Sequence, residues 1–222
     1  MGMLVAIEGG DGAGKATAAA NLAARLAAAG RSATVVSFPR YAETVGGHVL
    51  GEFLSGRLPR SVSPRAAAVL YALDRFESRD ALVAAADAHN VVVLDRYIAS
   101  NIAYQAASVA EGEAAGMIDW ITALETGTFA LPPPALNIYL DTPVEAAQAL
   151  ILKKRQRSYT DRSYDEYEQD LALQRRVRAN YATMAARGVL GPWLTVQVAE
   201  GEALRTPDAI ADEIAAAVLA RL

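Results

Sequence analysis

The sequence predicts one α/β domain, with a five-stranded parallel sheet covered by helices on both faces, and three observations support this fold class. Strand-like and helix-like segments alternate along the 222 residues, the strand-like segments are runs of consecutive apolar residues, and a glycine-rich loop joins the first strand to the first helix. Consecutive apolar residues are typical of strands buried on both faces. Alternation with helices indicates parallel strands joined by crossover connections, which gives a doubly wound sheet. No long linker or internal repeat interrupts this pattern, so residues 1–222 are predicted to form a single domain.

In the first half of the chain, apolar runs and helix-end signals define the elements. We predict strands at residues 4–7, 33–37 and 91–94, and helices at residues 15–29 and 63–88. Gly30 follows the first helix at the position where a left-handed residue commonly ends a helix. Ser63 followed by Pro64 is a typical helix start, because serine caps the first turn and proline is favoured at its first position. The long helix that begins there has an apolar face that suits either the core or a dimer surface.

The second half of the chain continues the same alternation. We predict strands at residues 136–140 and 193–198, and helices at residues 98–110, 114–126, 144–152 and 164–187, with a last helix after Pro207. Gly112 is expected to separate two of these helices, and Thr206 to cap the last one. Ligands of parallel sheets bind at the carboxyl ends of the strands, so the residues that follow each strand are the candidates for function.

Composition and charge narrow the function classes. The chain has no cysteine, which excludes disulfides, thiolate metal sites and a catalytic thiol. With 21 Lys+Arg against 25 Asp+Glu, the net charge of -4 argues against bulk binding of nucleic acid. No apolar run reaches the roughly 20 residues needed to span a bilayer, and the first residues lack a signal-peptide pattern. We therefore expect a cytoplasmic protein with neither a nucleic acid nor a membrane as partner.

A phosphate-binding loop follows the first strand. The loop consists of Gly9, Gly10, Asp11, Gly12, Ala13, Gly14 and Lys15, and it opens the first helix. This is the P-loop pattern G-x-x-x-x-G-K in its required strand–loop–helix context. Small residues allow backbone N–H groups to surround phosphate oxygens, the helix start favours anions, and Lys15 adds a positive charge. We predict that this segment, with Ala16 and Thr17, binds the phosphates of ATP.

The position after the P-loop lysine departs from the usual pattern. A serine or threonine usually stands there and ligates Mg²⁺, whereas this chain has Ala16, with Thr17 one place later. Either Thr17 contacts a phosphate while carboxylates hold the ion, or the loop has lost its catalysis. Both interpretations disfavour a GTPase or ATPase switch, which depends on the missing hydroxyl.

Polar residues also follow the third strand. Asp95 and Arg96 come directly after the apolar run at residues 91–94, and Asp95 stands where a Walker-B carboxylate would lie beside the P-loop. Asp141, after the fourth strand, is a competing candidate, although the adjacent Arg96 favours Asp95. One helical turn later, Ser100, Asn101 and Tyr104 are predicted to face one side.

Taken together, these motifs resemble the thymidylate kinase family of P-loop nucleoside monophosphate kinases. The resemblance covers nearly the whole chain, and it rests on Gly9 to Lys15 with Thr17, Phe38-Pro39-Arg40-Tyr41, Tyr71-Ala72-Leu73-Asp74-Arg75, Asp95-Arg96-Tyr97 through Gln105, and a basic segment ending in Tyr167-Glu168. It implies a P-loop kinase fold and transfer of the γ-phosphoryl of ATP to dTMP. It further implies Mg²⁺ as cofactor and a homodimer. Arg40 stands one residue earlier than the arginine of the family's common Phe-Pro-x-Arg.

The resemblance also implies roles for the phosphate-binding residues. Lys15 would bridge the donor and acceptor phosphates. Arg96 with Tyr41 would hold the phosphate of dTMP, and Arg40 is a further candidate for that contact. Asp11 would be placed for the Mg²⁺ ion and the sugar 3′-hydroxyl. Glu168, at the end of the basic segment, is a second candidate metal ligand.

A further set of roles concerns the nucleoside. The ring of Tyr71 would stack on thymine, while Arg75 and Asn101 would read its polar edge. Tyr104 would lie near C2′ of the deoxyribose, where a ribose hydroxyl would clash. Phe38, Asp95 and Ser100 complete the predicted substrate site.

The basic segment predicts a lid over ATP. Five basic residues and one acid lie between residues 153 and 162, which is unusual in an acidic chain. We expect a lid at about residues 153–163 in which Arg155 and Arg162 hold phosphate oxygens, because a guanidinium can bind phosphate through two hydrogen bonds. Two alternatives remain from the sequence: a related nucleoside or nucleotide kinase with the same loop, and a nucleotide-binding protein without catalysis.

Overall fold

The computed structural model contains the predicted parallel sheet of five strands, in the order β2-β3-β1-β4-β5. It describes residues 1–157, 171–201 and 203–222, with the side chains of residues 152–157 outside that description. The strands are β1 (Met3–Glu8), β2 (Ala33–Ser37), β3 (Val91–Asp95), β4 (Leu136–Asp141) and β5 (Trp193–Gln197). β1 lies at the centre and pairs with β3 on one side and β4 on the other, so the loop after β1 lies between the ends of both neighbours.

Alternate residues of the central strands enter two different clusters of apolar side chains. Ala6 and Leu94 belong to the cluster on one face of the sheet, whereas Val5, Val93 and Ile138 belong to the cluster on the other face. All five are inaccessible to solvent. Both faces of the sheet are therefore covered, which is why the strands read as continuous apolar runs.

Nine helices lie within the part of the chain that the structure describes. They are α1 (Lys15–Ala28), α2 (Val45–Leu54), α3 (Pro64–Glu77), α4 (Arg79–Ala88), α5 (Ile98–Ala107), α6 (Ala114–Thr122), α7 (Val144–Arg157), α8 (Leu171–Arg187) and α9 (Pro207–Leu219). The predicted caps are confirmed, since Ser63 accepts a hydrogen bond from Ala66 N at 3.3 Å and Thr206 accepts one from Ala209 N at 3.2 Å. Gly30 has the expected left-handed backbone, with φ 72°. None of these helices is both long and apolar enough to cross a membrane.

The predicted helix at residues 63–88 is wrong in one respect, because the structure divides it at Ser78 into α3 and α4. The Ser78 hydroxyl donates to the carbonyl of Asp74 at 2.8 Å, and its backbone N–H donates to the carbonyl of Arg75 at 3.1 Å. Serine side chains compete with the helical backbone in this way. The local tightening ends α3, and α4 begins at the next residue.

Helix α2 was not predicted, and its glycines explain why. Glycine has low helix propensity, yet Gly46 and Gly47 lie in its first turn, which Thr44 caps by accepting from Gly47 N at 2.8 Å. A Cβ on Gly46 would lie 2.5 Å from the backbone N of Asp74, and one on Gly47 would lie 2.2 Å from the carbonyl O of Arg40. The glycines therefore allow a close backbone approach that no other residue permits.

Three shorter elements also differ from the sequence prediction. The end of the predicted helix at residues 114–126 is a π-helical turn, Ala123–Thr128, and the break near Gly112 is a 3-10 turn, Glu111–Glu113. A small antiparallel hairpin, β6 (Ala199–Glu200) with β7 (Ala203–Leu204), follows the sheet and was not predicted.

Candidate active site

The glycine-rich loop has the backbone that a phosphate cradle requires. Gly9, Gly12 and Gly14 have φ angles of 151°, 76° and 85°, which L side chains rarely adopt. A Cβ on Gly12 would also lie 2.4 Å from the carbonyl O of Ala147 in α7. The loop thus depends on glycine both for its conformation and for its contact with α7.

Lys15 is buried and folded back onto this loop. Its Nζ donates to the carbonyls of Gly9 at 3.0 Å and Gly10 at 2.6 Å. Burial, together with the positive charge of Arg96, lowers the pKa of Lys15 to about 7, although the nearby carboxylates of Asp11, Asp95 and Glu8 oppose the shift. The ammonium group therefore occupies a site that an anion with a high charge density would stabilise.

Asp11, at the middle of the loop, is fixed by two residues from distant parts of the chain. Its carboxylate pairs with Arg96 and accepts from Gln174 Nε2 at 2.9 Å, while its backbone N–H donates to Gln174 Oε1 at 3.3 Å. Burial alone would raise the pKa of Asp11, but Arg96 and Lys15 lower it below its usual value. Asp11 is therefore a carboxylate held beside two cations.

Arg96 has a left-handed backbone, with φ 67°, which is unusual for a residue with a side chain. Its N–H donates to the carbonyl of Ile7 at 3.1 Å, and its guanidinium carbon lies 5.5 Å from the ring centroid of Tyr104. Burial disfavours its charge, yet the pairing with Asp11 raises the pKa of Arg96 well above its usual value. The strained turn after β3 thus aims a permanent cation at the loop.

The two Walker-B candidates have different surroundings. Asp95 ends β3, opposite Ile7 of β1, and its charge acts on Lys15. Asp141 accepts hydrogen bonds from Arg178 at 2.7 Å and from Tyr139 at 3.0 Å. Asp95 is thus the candidate beside the P-loop lysine.

A cavity of about 290 Å³ opens beside Arg96. Its wall contains eight of the nine predicted substrate residues, all except Asp95: Phe38, Tyr41, Tyr71, Arg75, Arg96, Ser100, Asn101 and Tyr104. Asp11, Ser37, Pro39 and Leu54 complete the wall. Residues from six separate segments therefore meet around one concave space, and its wall includes both Asp11 of the P-loop and Arg96.

Two polar side chains in the cavity wall, Arg75 and Asn101, share a hydrogen-bond partner. Both side chains are buried, and both hydrogen-bond Glu125, which is itself inaccessible to solvent. The Arg75 guanidinium forms two hydrogen bonds with Glu125, each 2.6 Å long. Glu125 was not among the predicted site residues, because nothing in its sequence surroundings marks it.

Glu8, the last residue of β1, was expected to matter because it follows the predicted strand, but no role in the site was predicted for it. It is fully buried and accepts from Tyr97 N at 2.9 Å, Ser100 Oγ at 2.6 Å and Tyr181 OH at 3.1 Å. Burial raises the pKa of Glu8, and these donors and Arg96 partly offset the rise. Ser100 therefore lines the cavity, while its hydroxyl donates a hydrogen bond to Glu8. The only sequence signal for Glu8 was a charged residue at the end of an apolar strand.

The remaining predicted positions lie at the start of α1, at Arg40 and in the predicted lid. Ala16 and Thr17 are exposed in the first turn of α1. Arg40 pairs its guanidinium with Glu43. The side chain of Arg155, together with Arg162, Glu168 and most of the predicted lid, lies outside the described residues.

This architecture defines the class of protein. A P-loop between β1 and α1, a buried lysine, and an arginine shared with an adjoining nucleotide-sized cavity are the parts of a P-loop kinase for a small phosphorylated substrate. Residues 7–201 match the family model for thymidylate kinase. The chain belongs to the thymidylate kinase family.

Individual relatives agree with this assignment. The chain is 40% identical over 197 residues to the thymidylate kinase of Mycobacterium tuberculosis. The matched region covers 87% of this chain and 91% of that protein. The chain is 34% identical over 221 residues to the thymidylate kinase of Thermomicrobium roseum, covering 98% and 95%. The solved structure of thymidylate kinase from Candida albicans has the same fold, with a TM-score of 0.74 at 21% identity, over 99% of this chain and 92% of that one.

Proposed function

We propose that residues 1–222 form one catalytic domain, an ATP-dependent dTMP kinase that transfers the γ-phosphoryl of ATP to dTMP and yields dTDP and ADP. The observation that carries the proposal is the position of Arg96. It lies in the wall of the cavity and pairs with Asp11 of the P-loop, so a phosphate bound by Arg96 would lie next to the loop that binds ATP.

Phosphoryl transfer requires positioning and charge neutralisation more than covalent chemistry. In the proposed mechanism Arg96 and Tyr41 hold the dTMP phosphate at the mouth of the cavity, and Lys15 leaves the carbonyls of Gly9 and Gly10 to bridge the two phosphates. The attacking phosphate oxygen is already ionised at neutral pH, so no general base is required. Arg155 and Arg162 are proposed to close over ATP and to exclude water.

The side chains that line the cavity suit a deoxynucleoside with a pyrimidine base. Tyr71 offers a ring for stacking, and Arg75 and Asn101 present polar groups beyond it. The ring centroid of Tyr104 lies 5.5 Å from the guanidinium carbon of Arg96. This contact supports a position of the ring beside the sugar of a nucleotide whose phosphate Arg96 holds. We propose that this ring disfavours a ribose 2′-hydroxyl.

The residues around Lys15 fit a Mg²⁺ ion. Mg²⁺ in phosphoryl-transfer sites is bound by one or two carboxylates with waters and substrate phosphates. Asp11 is an ionised carboxylate at the loop, and we propose that it holds the ion with Glu168. When bound, the ion neutralises charge on the donor phosphates. Within the described ranges, no group of three or more acidic or histidine side chains forms a complete protein cage.

Changing Ala16 to serine tests the metal site. Ala16 is exposed in the first turn of α1, so the added hydroxyl is expected to reach the phosphates and the ion without disturbing the core. One additional ligand should lower the Mg²⁺ concentration for half-maximal velocity about fivefold, which corresponds to roughly 1 kcal/mol. Thr17→Ala is the matched control, and it raises that concentration only if Thr17 replaces the missing hydroxyl. An unchanged Mg²⁺ requirement in Ala16→Ser would contradict the idea that this position contacts the metal.

We further propose a homodimer formed through α3. Val69 and Phe76 on this helix are 40% and 43% exposed, and the ring of Phe76 lies 4.9 Å from that of Phe129. These side chains provide apolar surface outside the core. Static light scattering tests the proposal, because it distinguishes one chain from two. The cytoplasmic location stays a prediction.

The activity is tested by ADP release with ATP and four acceptors: dTMP, dUMP, CMP and thymidine. We expect dTMP to give the highest kcat/KM, and thymidine to give none, because it lacks the phosphate that Arg96 holds. Turnover of thymidine would instead indicate a nucleoside kinase. If no monophosphate raises ADP release above the background, the chain is a nucleotide-binding protein without catalysis and the proposal fails.

A further inference from the structure

Glu125 hydrogen-bonds both Arg75 and Asn101, the two side chains of the cavity wall that are proposed to read the base. It lies in the π-helical turn Ala123–Thr128 that follows α6, and its side chain is inaccessible to solvent. Its Oε2 accepts from Arg75 Nε at 2.6 Å, and its Oε1 accepts from both Arg75 Nη2 at 2.6 Å and Asn101 Nδ2 at 2.8 Å. π-Helical turns are rare and often occur at functional sites.

These contacts decide which way the Asn101 amide points. Its nitrogen faces two groups that can only accept hydrogen bonds, the Glu125 carboxylate at 2.8 Å and the carbonyl of Ala68 at 3.0 Å. Turning the amide over would place its oxygen against both acceptors. The Asn101 oxygen is therefore directed away from them, and it is buried without a hydrogen-bond partner in the described part of the chain. Because Asn101 lines the cavity, this oxygen is available to a ligand there.

Arg75 is fixed by the same carboxylate. With Nε and Nη2 on Glu125, its Nη1 makes no hydrogen bond to the residues that the structure describes. These two side chains of the cavity wall consequently offer one acceptor, from Asn101, and one donor, from Arg75. Thymine and uracil present the complementary pair, an N3–H donor next to an O4 acceptor. Cytosine presents the opposite pair, an N3 acceptor next to a 4-amino donor, and would leave buried groups unpaired.

We propose that Glu125 is a positioning residue that makes the site select a 4-oxo pyrimidine over a 4-amino pyrimidine, although it does not touch the base. The inference rests on the proposed function, and it goes beyond it by assigning the selectivity to a carboxylate behind the base-reading side chains. Glu125 fixes the Asn101 oxygen as an acceptor and the Arg75 guanidinium as a donor. The discrimination is thus set by the orientation of the two side chains as well as by their identity.

The test is Glu125→Gln, assayed with dTMP and dCMP. The glutamine amide has one donor group in place of an acceptor, so at least one contact is lost in either orientation. With its oxygen in the Oε1 position it still accepts from Asn101 Nδ2 and Arg75 Nη2 but opposes Arg75 Nε with a donor. Turned over, it opposes both Asn101 Nδ2 and Arg75 Nη2 with a donor. We expect the ratio of kcat/KM for dTMP to kcat/KM for dCMP to fall about tenfold or more, the value of one hydrogen bond, mainly through KM. Asn101→Ala is the matched variant, because it removes the acceptor itself. Because Glu125 also holds Arg75, the loss of discrimination in the double variant should exceed that in Asn101→Ala alone but stay below the sum of the two single losses.

Two further experiments distinguish an effect of Glu125 on base preference from a loss of folding and from a loss of phosphoryl transfer. Calorimetric binding of dTMP and dCMP without ATP measures the base preference even if no phosphate is transferred. Glu125→Asp keeps the charge that neutralises Arg75, so it replaces Glu125→Gln in the test if that variant does not fold. It is expected to retain part of the preference for dTMP over dCMP. A Glu125→Gln protein that is folded and keeps the wild-type dTMP-to-dCMP ratio overturns the inference, as do effects of Glu125→Gln and Asn101→Ala that simply add.

Discussion

Replacing Lys15 by methionine is expected to lower kcat by about 10³-fold while the protein remains folded. Methionine has a similar length and suits a buried position, and Lys15 is only 6% exposed. In the proposed mechanism the ammonium group stabilises the negative charge that shifts between the donor and acceptor phosphates. A preorganised charge at that point lowers the free energy of the transition state by about 4 kcal/mol. Steady-state kinetics with saturating dTMP and ATP measures the effect, and circular dichroism checks the fold.

The depressed pKa of Lys15 supplies a second readout for the same variant. With a pKa of about 7 in the unliganded protein, Lys15 is mostly neutral at pH 8, and the phosphates of ATP would raise that pKa. ATP binding at pH 8 should therefore take up a proton, and the affinity for ATP should fall as the pH rises above 7. Calorimetry in buffers of different ionisation enthalpy detects the uptake. Lys15→Met and the charge-retaining control Lys15→Arg should both lack it. A Lys15→Met enzyme within tenfold of the wild-type kcat would remove Lys15 from the mechanism.

The sheet and the phosphate loop could be predicted because their signals are local. Buried parallel strands are continuous apolar runs, and the P-loop is a contiguous motif in a fixed strand–loop–helix context. Given a parallel sheet, the residues after β1 and β3 must meet at one edge, so the sequence alone predicts that Lys15 and Arg96 lie close together. The family resemblance then supplied the residues of the cavity wall that come from other segments, such as Tyr71 and Arg75.

The supporting residues could not be predicted, because each acts through a partner far away in the chain. Gln174 holds Asp11 across 163 residues, and Glu125 holds Arg75 across 50. Glutamine and glutamate are common on helix surfaces, so nothing local distinguishes these two from solvated residues. Helix α2 was missed for the opposite reason: Gly46 and Gly47 reduce its intrinsic propensity, and its contact with α3 compensates. Both the roles of these two residues and the formation of α2 depend on contacts between segments that are distant in the sequence.

Replacing Arg96 by alanine is expected to weaken the capture of dTMP far more than any later step. Arg96 is the cation that joins the cavity wall to Asp11 of the P-loop, and its guanidinium can offer two charge-assisted hydrogen bonds to a phosphate. Each such bond contributes about 1.5–3 kcal/mol, so kcat/KM for dTMP should fall by roughly 10³-fold, mostly through KM. KM for ATP should change little. Separate titrations of the two substrates in steady-state kinetics measure this difference.

Thymidine provides the control that isolates the phosphate contact, because it has the base and sugar of dTMP but no phosphate for Arg96 to hold. Wild type should bind dTMP much more tightly than thymidine, and Arg96→Ala should remove most of that difference while leaving thymidine affinity nearly unchanged. Arg96→Gly controls for the backbone, since glycine adopts φ 67° without strain whereas alanine does not. If the two variants behave alike, the loss belongs to the guanidinium. Equal losses for dTMP and thymidine would instead show that Arg96 shapes the cavity, with Asp11 and Tyr104 displaced when it is removed.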